Sequence, residues 1–203
     1  MKVKDTIGIY ENAFSEAECA ALRYSLELAN KENRTYKGKS GDGEAEYKKS
    51  TDYNILERSE DGELANLVMD RFNDYLSNHY LENFPHSNEF NHHRIVNGKT
   101  FYPLLQIQKY DQNSGHYNTW HTEKEDLNTS SRMFVFILYL NDVSEGGETG
   151  FLFKDEDTND FFKVKPKTGK LIIHPASWPY IHKGYMPKSD DKYILTTWLL
   201  YNK

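Results

Sequence analysis

The sequence predicts a mainly β protein with flanking α-helices, a sandwich or barrel carrying helices packed on one side. Two observations predict it. From residue 101 onward, short apolar or alternating segments recur at close spacing, separated by turn-forming clusters. Before residue 100, two stretches follow the 3.6-residue period of amphipathic helices. No repeat or linker divides the chain. The expected organisation is one domain over 1–203, with helical support over about 1–100 and a β core over about 101–203.

The N-terminal half reads in order as follows. "IGIYENAFSEAECAALRYSLELANKEN" is a strand, a turn and a helix. Ser15 and Glu18 form the S-x-x-E pattern of a capping box. Ala17, Ala20, Ala21, Tyr24 and Leu28 then follow helical spacing, and Cys19 sits among them as a structural thiol. Residues 34–51, "RTYKGKSGDGEAEYKKST", are polar and broken by glycine. They suit a loop with weak strands at its ends, and a lid over a pocket. "ELANLVMDRFNDYLSNHY" (63–80) is a second helix with Leu64, Leu67, Val68, Phe72, Tyr75 and Leu76 on one face. In the stretch 84–99, rich in His and Asn, His92 and His93 are adjacent. In extended chain they point to opposite faces, so both read as surface residues.

The C-terminal half supplies strands. "LLQIQKY" (104–110) alternates, and "MFVFILYL" (133–140) is a continuous buried run. "TGFLF" (149–153), "FFKV" (161–164), "KLIIHP" (170–175) and "KYILTTWLLY" (192–201) follow. "NDVSEGGE", "KDEDTND", "KPKTG" and "YMPKSDD" provide the turns between them.

Composition narrows the function. The 203 residues include 15 Tyr and 11 Phe, ample for one core, and 28% are charged. A net charge of −6 gives no overall attraction to phosphate backbones, so a nucleic-acid partner is disfavoured. No apolar run approaches the roughly 18 residues of a membrane span. One cysteine allows no intrachain disulfide, and the N-terminus lacks the apolar core of a signal peptide; both point to the cytoplasm.

The chemistry is concentrated in "NTWHTEKE" (118–125). In extended chain His121 and Glu123 project to one face and can share a metal ion. A third ligand must come from His79, His86, His92, His93, His116, His174 or His182. Two histidines and one carboxylate on one face leave the opposite face open, as in non-haem Fe(II) oxygenases. His182 lies just before a strongly β-forming segment, and Lys192 follows ten residues later.

Five ordered motifs now carry a resemblance. They are "LQIQKY", "GHYNTWHTE", "SRMFVFILYLNDVSEGGETGFLF", "VKPKTGKLIIHPA" and "IHKGYMP…DKYILTTW". Together with the opening "YENAFSEAEC", they resemble the 2-oxoglutarate- and Fe(II)-dependent dioxygenases, in their prolyl 4-hydroxylase-like branch. The resemblance covers most of the chain and is continuous from about 101 to 200. It implies a double-stranded β-helix, the jelly roll. It also implies Fe(II), 2-oxoglutarate as cosubstrate, O2, and binding of L-ascorbic acid.

Residue by residue, the resemblance makes His121, Glu123 and His182 the metal ligands. Glu123 departs from the usual aspartate by one methylene. Lys192 matches the cation that pairs with the distal carboxylate of 2-oxoglutarate, and Tyr110 the tyrosine that bonds the same group. Thr196, on the strand face of Lys192, could assist. The "GGET" turn (146–149) reads as structural. Asn118 stands where the family often has an aromatic, so substrate contacts do not transfer. His116 and His174 read as supporting or structural. The implied reaction is hydroxylation with release of succinate and CO2. The substrate is a prolyl residue of a peptide or protein, or else a free amino acid, another side chain or a nucleotide. Two rival classes are a zinc hydrolase, which leaves Lys192 and Tyr110 unexplained and lacks H-E-x-x-H, and a non-catalytic jelly-roll module. The oligomeric state is not legible.

Overall fold

The structure is a computed structural model that describes residues 6–38, 46–84, 99–155 and 160–202. Strand β1 (Gly8–Tyr10) leads into helix α1 (Glu16–Lys31). Three short strands follow: β2 (Tyr36–Lys37), β3 (Lys48–Lys49) and β4 (Thr51–Asn54). Helix α2 (Gly62–Tyr75) continues into a π turn at Leu76–Tyr80. The remaining strands are β5 (Thr100–Phe101), β6 (Gln106–Tyr110), β7 (His116–His121), β8 (Arg132–Tyr139), β9 (Thr149–Lys154), β10 (Phe161–Val164), β11 (Leu171–Pro175), β12 (His182–Gly184) and β13 (Lys192–Tyr201).

The strands form two antiparallel sheets. The larger runs β1-β11-β8-β13-β6-β4-β2, with β5 added on β13; the smaller runs β10-β9-β12-β7-β3. They face each other as a jelly roll, with the helices on the outer face of the larger sheet. The N-terminal region therefore contributes strands to both sheets as well as the two helices.

Two apolar layers follow from strand alternation. On β8, Phe136 and Leu138 face the helices with Leu195 and Leu199 of β13, while Val135, Ile137 and Tyr139 face the smaller sheet with Phe151 and Val164. A strand covered on both faces reads as an unbroken apolar run, which explains "MFVFILYL". Phe72 of α2 stacks on Phe136 at 4.8 Å and meets Phe14 edge-on at 5.8 Å. This aromatic cluster fixes the helices to the sheet.

Helix α1 begins with the expected capping box, in which Ser15 and Glu18 bond reciprocally. Its buried stripe is Cys19, Leu22, Leu26 and Ala29, whereas Ala17, Ala21 and Tyr24 are exposed, Tyr24 at 66%. The expected face is thus rotated. Alanines carry little transfer energy, so the leucines set the orientation. Helix α2 buries Ala65, Val68 and Phe72, the face its periodicity predicts. Cys19 is free and buried, and burial pushes its thiol up to about 11.

The ends of the 34–51 segment form β2 and β3, as expected; residues 39–45, which would form the body of a lid, lie outside the described residues. So do His86, His92 and His93. Among the described residues no helix is long and apolar enough to cross a membrane. Phe72→Ala is expected to lower unfolding stability by about 3–5 kcal/mol, because the vacated space borders three rings. Urea denaturation followed by tryptophan fluorescence checks this, and a loss below about 1 kcal/mol would contradict the assigned role of the cluster.

Candidate metal and dicarboxylate site

Strand pairing builds the site. β12 pairs with β7 so that His182 lies directly opposite His121. Both side chains enter the space between the sheets, and their ring centroids are 4.5 Å apart. Strand β7 ends at His121, so Glu123 stands two residues beyond it in a bend and not on the strand face. Its N–H donates to the Ala176 carbonyl at 3.0 Å, and this anchor turns the side chain back to the histidines. Glu123 Oε1 is 3.5 Å from Nε2 of both His121 and His182.

The tautomers follow from the acceptors. His121 Nδ1–H donates to the Thr119 carbonyl at 2.9 Å, and His182 Nδ1–H to the Tyr180 carbonyl at 3.0 Å. A carbonyl can only accept, so both Nε2 lone pairs face Glu123. Backbone bonds of this kind orient metal-binding imidazoles. The three ligand atoms lie within 4.8 Å of one another. Two imidazole nitrogens and one carboxylate oxygen, converging from one side, fit a divalent transition metal with open positions opposite.

Electrostatics agrees with that donor set. Burial acts to raise the Glu123 carboxyl, but when the two imidazoles also carry a proton on Nε2 their hydrogen bonds and charge hold it well below the usual carboxylate range. Burial likewise acts to lower His121, yet Glu123 shifts it upward overall. The cluster is thus poised to hold positive charge, either a proton or a metal ion. The Tyr117 ring stacks on His121 at 4.0 Å and shields one side.

The triad lines a cavity of about 330 Å³. Lys192, 3% exposed, lines the same cavity. Its strand register places it opposite Tyr110. Among the described residues Lys192 makes no ion pair; its Nζ lies 5.5 Å from the ring centres of Tyr110 and Tyr139. A Cβ added at Gly184 would stand 3.9 Å from that Nζ, so the glycine keeps the space beside the cation clear. A buried cation with room next to it fits an anionic group of a ligand.

The other expected residues fall as follows. Tyr110 lines the cavity, and its O–H donates to Gln108 Oε1 at 2.7 Å. Turning that hydrogen to a carboxylate exchanges a neutral bond for a charge-assisted one. Thr196 shares the cavity face, with its hydroxyl donating to the Phe136 carbonyl at 3.0 Å, so it presents a lone pair. His174 is fully buried with its ring 4.9 Å from that of His182, and burial pushes it down to about 3, so it is a neutral packing partner. His116 bonds the carbonyls of Ser114 and Glu46 and ties β7 to the segment before β3.

Several site residues went unread in the sequence. Thr149, expected as part of a turn and the start of a strand, faces the cavity, with its hydroxyl 2.6 Å from that of Tyr139, which also bonds the Val164 carbonyl at 3.1 Å. Its signal was the alternation of Thr149, Phe151 and Phe153 along β9. Gly146 and Gly147, both at φ +74°, do form the expected turn before it. Asp52 is fully buried and gathers Lys48, Ser50 and Gln106, forming a polar wall that no sequence pattern announced.

A family model of the 2OG-Fe(II) oxygenase superfamily matches residues 105–200. Prolyl 4-hydroxylase 13 of Arabidopsis thaliana is 30% identical over 108 residues, covering 45% of this chain and 38% of that protein. The chain spans only 36% to 38% of the length of the curated relatives it matches. The viral collagen prolyl hydroxylase of Paramecium Bursaria Chlorella virus-1, solved as a 2OG complex, aligns with a TM-score of 0.64 at 18% identity over 100% of both chains. A prolyl hydroxylase from Trichoplax adhaerens, in complex with a hypoxia inducible factor oxygen degradation domain peptide fragment, gives 0.71 at 12% identity, over 97% of this chain and 84% of that one. These structures share the jelly-roll fold.

Burial pushes Lys192 down to about 7 from 10.5, with Glu148 opposing. Between those values the unfolded chain binds more protons than the folded one, so this residue makes stability rise with pH across that window. Lys192→Met is therefore expected to raise the melting temperature of the ligand-free protein near pH 7 and to lose that advantage near pH 10. A pH series of thermal melts checks the sign; a lower melting temperature for the variant near pH 7 would mean the lysine has a partner.

Proposed function

We propose that this chain is an Fe(II)- and 2-oxoglutarate-dependent dioxygenase that hydroxylates its substrate, a reading supported by the match of residues 105–200 to the 2OG-Fe(II) oxygenase superfamily model. The observation that carries the proposal is one cavity lined both by a His-Glu-His cluster and by a buried lysine that makes no ion pair among the described residues. Iron, when bound, supplies the redox chemistry in which O2 and 2-oxoglutarate become succinate, CO2 and one hydroxyl group on the substrate.

The protein's residues do the holding. His121, Glu123 and His182 bind the metal from one side and leave the other for the keto acid and O2. Lys192 pairs with the distal carboxylate, Tyr110 donates to it, Thr149 lines the same cavity, and Gly184 leaves the volume it needs. Thr196 borders the same face and contributes an acceptor. Ile137, Ile194 and Trp198 give the cavity apolar walls that limit water around the reacting groups.

The substrate is a prolyl residue of a peptide or protein. Support comes from the relatives, which are named prolyl hydroxylases, one of them solved with a peptide fragment. The single free, buried Cys19 supports a reducing, cytoplasmic setting.

Anaerobic addition of Fe(II) and then 2-oxoglutarate is expected to produce a weak visible charge-transfer band that requires both. His121→Ala should abolish it. Gly184→Val should weaken 2-oxoglutarate binding at least about tenfold while sparing the metal, since its side chain would occupy the space beside Lys192. Iron binding without the band would refute keto-acid chelation. A proline-rich peptide should gain one oxygen by mass spectrometry; turnover driven only by a free amino acid or a nucleotide would replace the prolyl reading.

A further inference from the structure

We propose that Arg132 is the positioning residue that lets a glutamate serve as the metal carboxylate in this chain. The proposal rests on reading His121, Glu123 and His182 as a metal triad.

A glutamate has one more rotatable bond than an aspartate, and its carboxylate can meet an ion through one oxygen or two. Something must therefore choose the oxygen and hold the extra torsion. Arg132, the first residue of β8, does both. Its Nη1 donates to the backbone carbonyl of Glu123 at 2.9 Å and to Oε2 at 3.1 Å. One nitrogen thus grips the residue at its root and its tip. The guanidinium is itself held, with its centre 3.8 Å from the ring centre of Trp198.

The bonds of Glu123 then account for every polar group it has. Its N–H goes to the Ala176 carbonyl, its C=O and Oε2 go to Arg132, and Oε1 alone faces the two Nε2 atoms. The carboxylate is left as a one-oxygen ligand. The added methylene is absorbed in the loop that Arg132 closes.

This role makes a prediction opposite in sign to simple electrostatics. A guanidinium beside a cation site repels the ion, so its removal by charge alone would tighten metal binding. A positioning role predicts weaker binding, because a ligand that loses its orienting partner typically loses about 10–100-fold in affinity.

The test is titration of the metal-free protein with Co(II), without 2-oxoglutarate or O2, followed by calorimetry and the visible spectrum. Arg132→Gln is expected to bind at least about tenfold more weakly than wild type, with an altered d–d band as the second carboxylate oxygen becomes available. Arg132→Lys keeps the charge and tests the same point if Arg132→Gln fails to fold, as thermal melts would show; it too should bind more weakly. In a Glu123→Asp background, where the shorter carboxylate falls short of the guanidinium, Arg132→Gln should change affinity less than about threefold. Equal or tighter binding by Arg132→Gln overturns the proposal, as does an equal loss in both backgrounds, which would make Arg132 a general stabiliser of the fold. A wild type that binds no Co(II) removes the triad itself, an outcome distinct from these.

Discussion

The pairing of His182 with His121 across two antiparallel strands is the constraint on which the site depends. Side chains on a strand alternate between faces, so a slip of one residue in β12 would turn His182 outward. The register is pinned from both sides, because β12 also pairs with β9, setting His182 opposite Phe151 and Gly184 opposite Thr149. An irregularity between β12 and β7 keeps Gly184 opposite Tyr117 as well. One three-residue strand therefore presents the second imidazole, the clearance beside Lys192 and the contact to Thr149. Strand order alone brings residues 121, 149 and 182 together.

Burial is the second organising cause. The layer between the sheets is apolar over Val135, Ile137, Tyr139, Phe151 and Ile172. Polar groups set into it cannot be neutral in effect: each needs a partner or shifts its protonation. Glu123 and the imidazoles satisfy one another. Elsewhere in the cavity Lys192 has no counter-charge in contact among the described residues and pays in a lowered proton affinity. A metal and a dicarboxylate are complementary to these two groups. The same low-dielectric surroundings that destabilise the empty site strengthen its hold on such ligands.

Legibility varied by element for physical reasons. β8 and β13 announced themselves because they are apolar over most of their length and flanked by turns. α2 did so because its periodic face is built of large residues. α1 was recognised by its cap but assigned the wrong face, since alanines satisfy a helical period on several faces at once. β7 and β12 carry the candidate histidine ligands yet have few apolar residues, so donor spacing marked the first and motif resemblance the second. Glu123 was expected on the strand face beside His121. It faces the two imidazoles from a bend, a geometry set by the Ala176 carbonyl just past the end of β11. Thr149 was hidden by its position at the end of a glycine turn, and Asp52 and Arg132 by being ordinary charged residues in sequence.

The sequence by itself determined the class of fold, the capping of α1, the face of α2, the main strands and the set of residues able to bind a metal and a carboxylate. These are properties of local periodicity, turn chemistry and donor type, which a chain carries without its partners. Only the tertiary structure decided which histidine completes the triad geometrically, that Lys192 is buried without a counter-ion among the described residues, and that Arg132 holds one oxygen of Glu123. Those depend on strand order and register, which place groups tens of residues apart within a few ångströms of each other, and no local pattern encodes that distance.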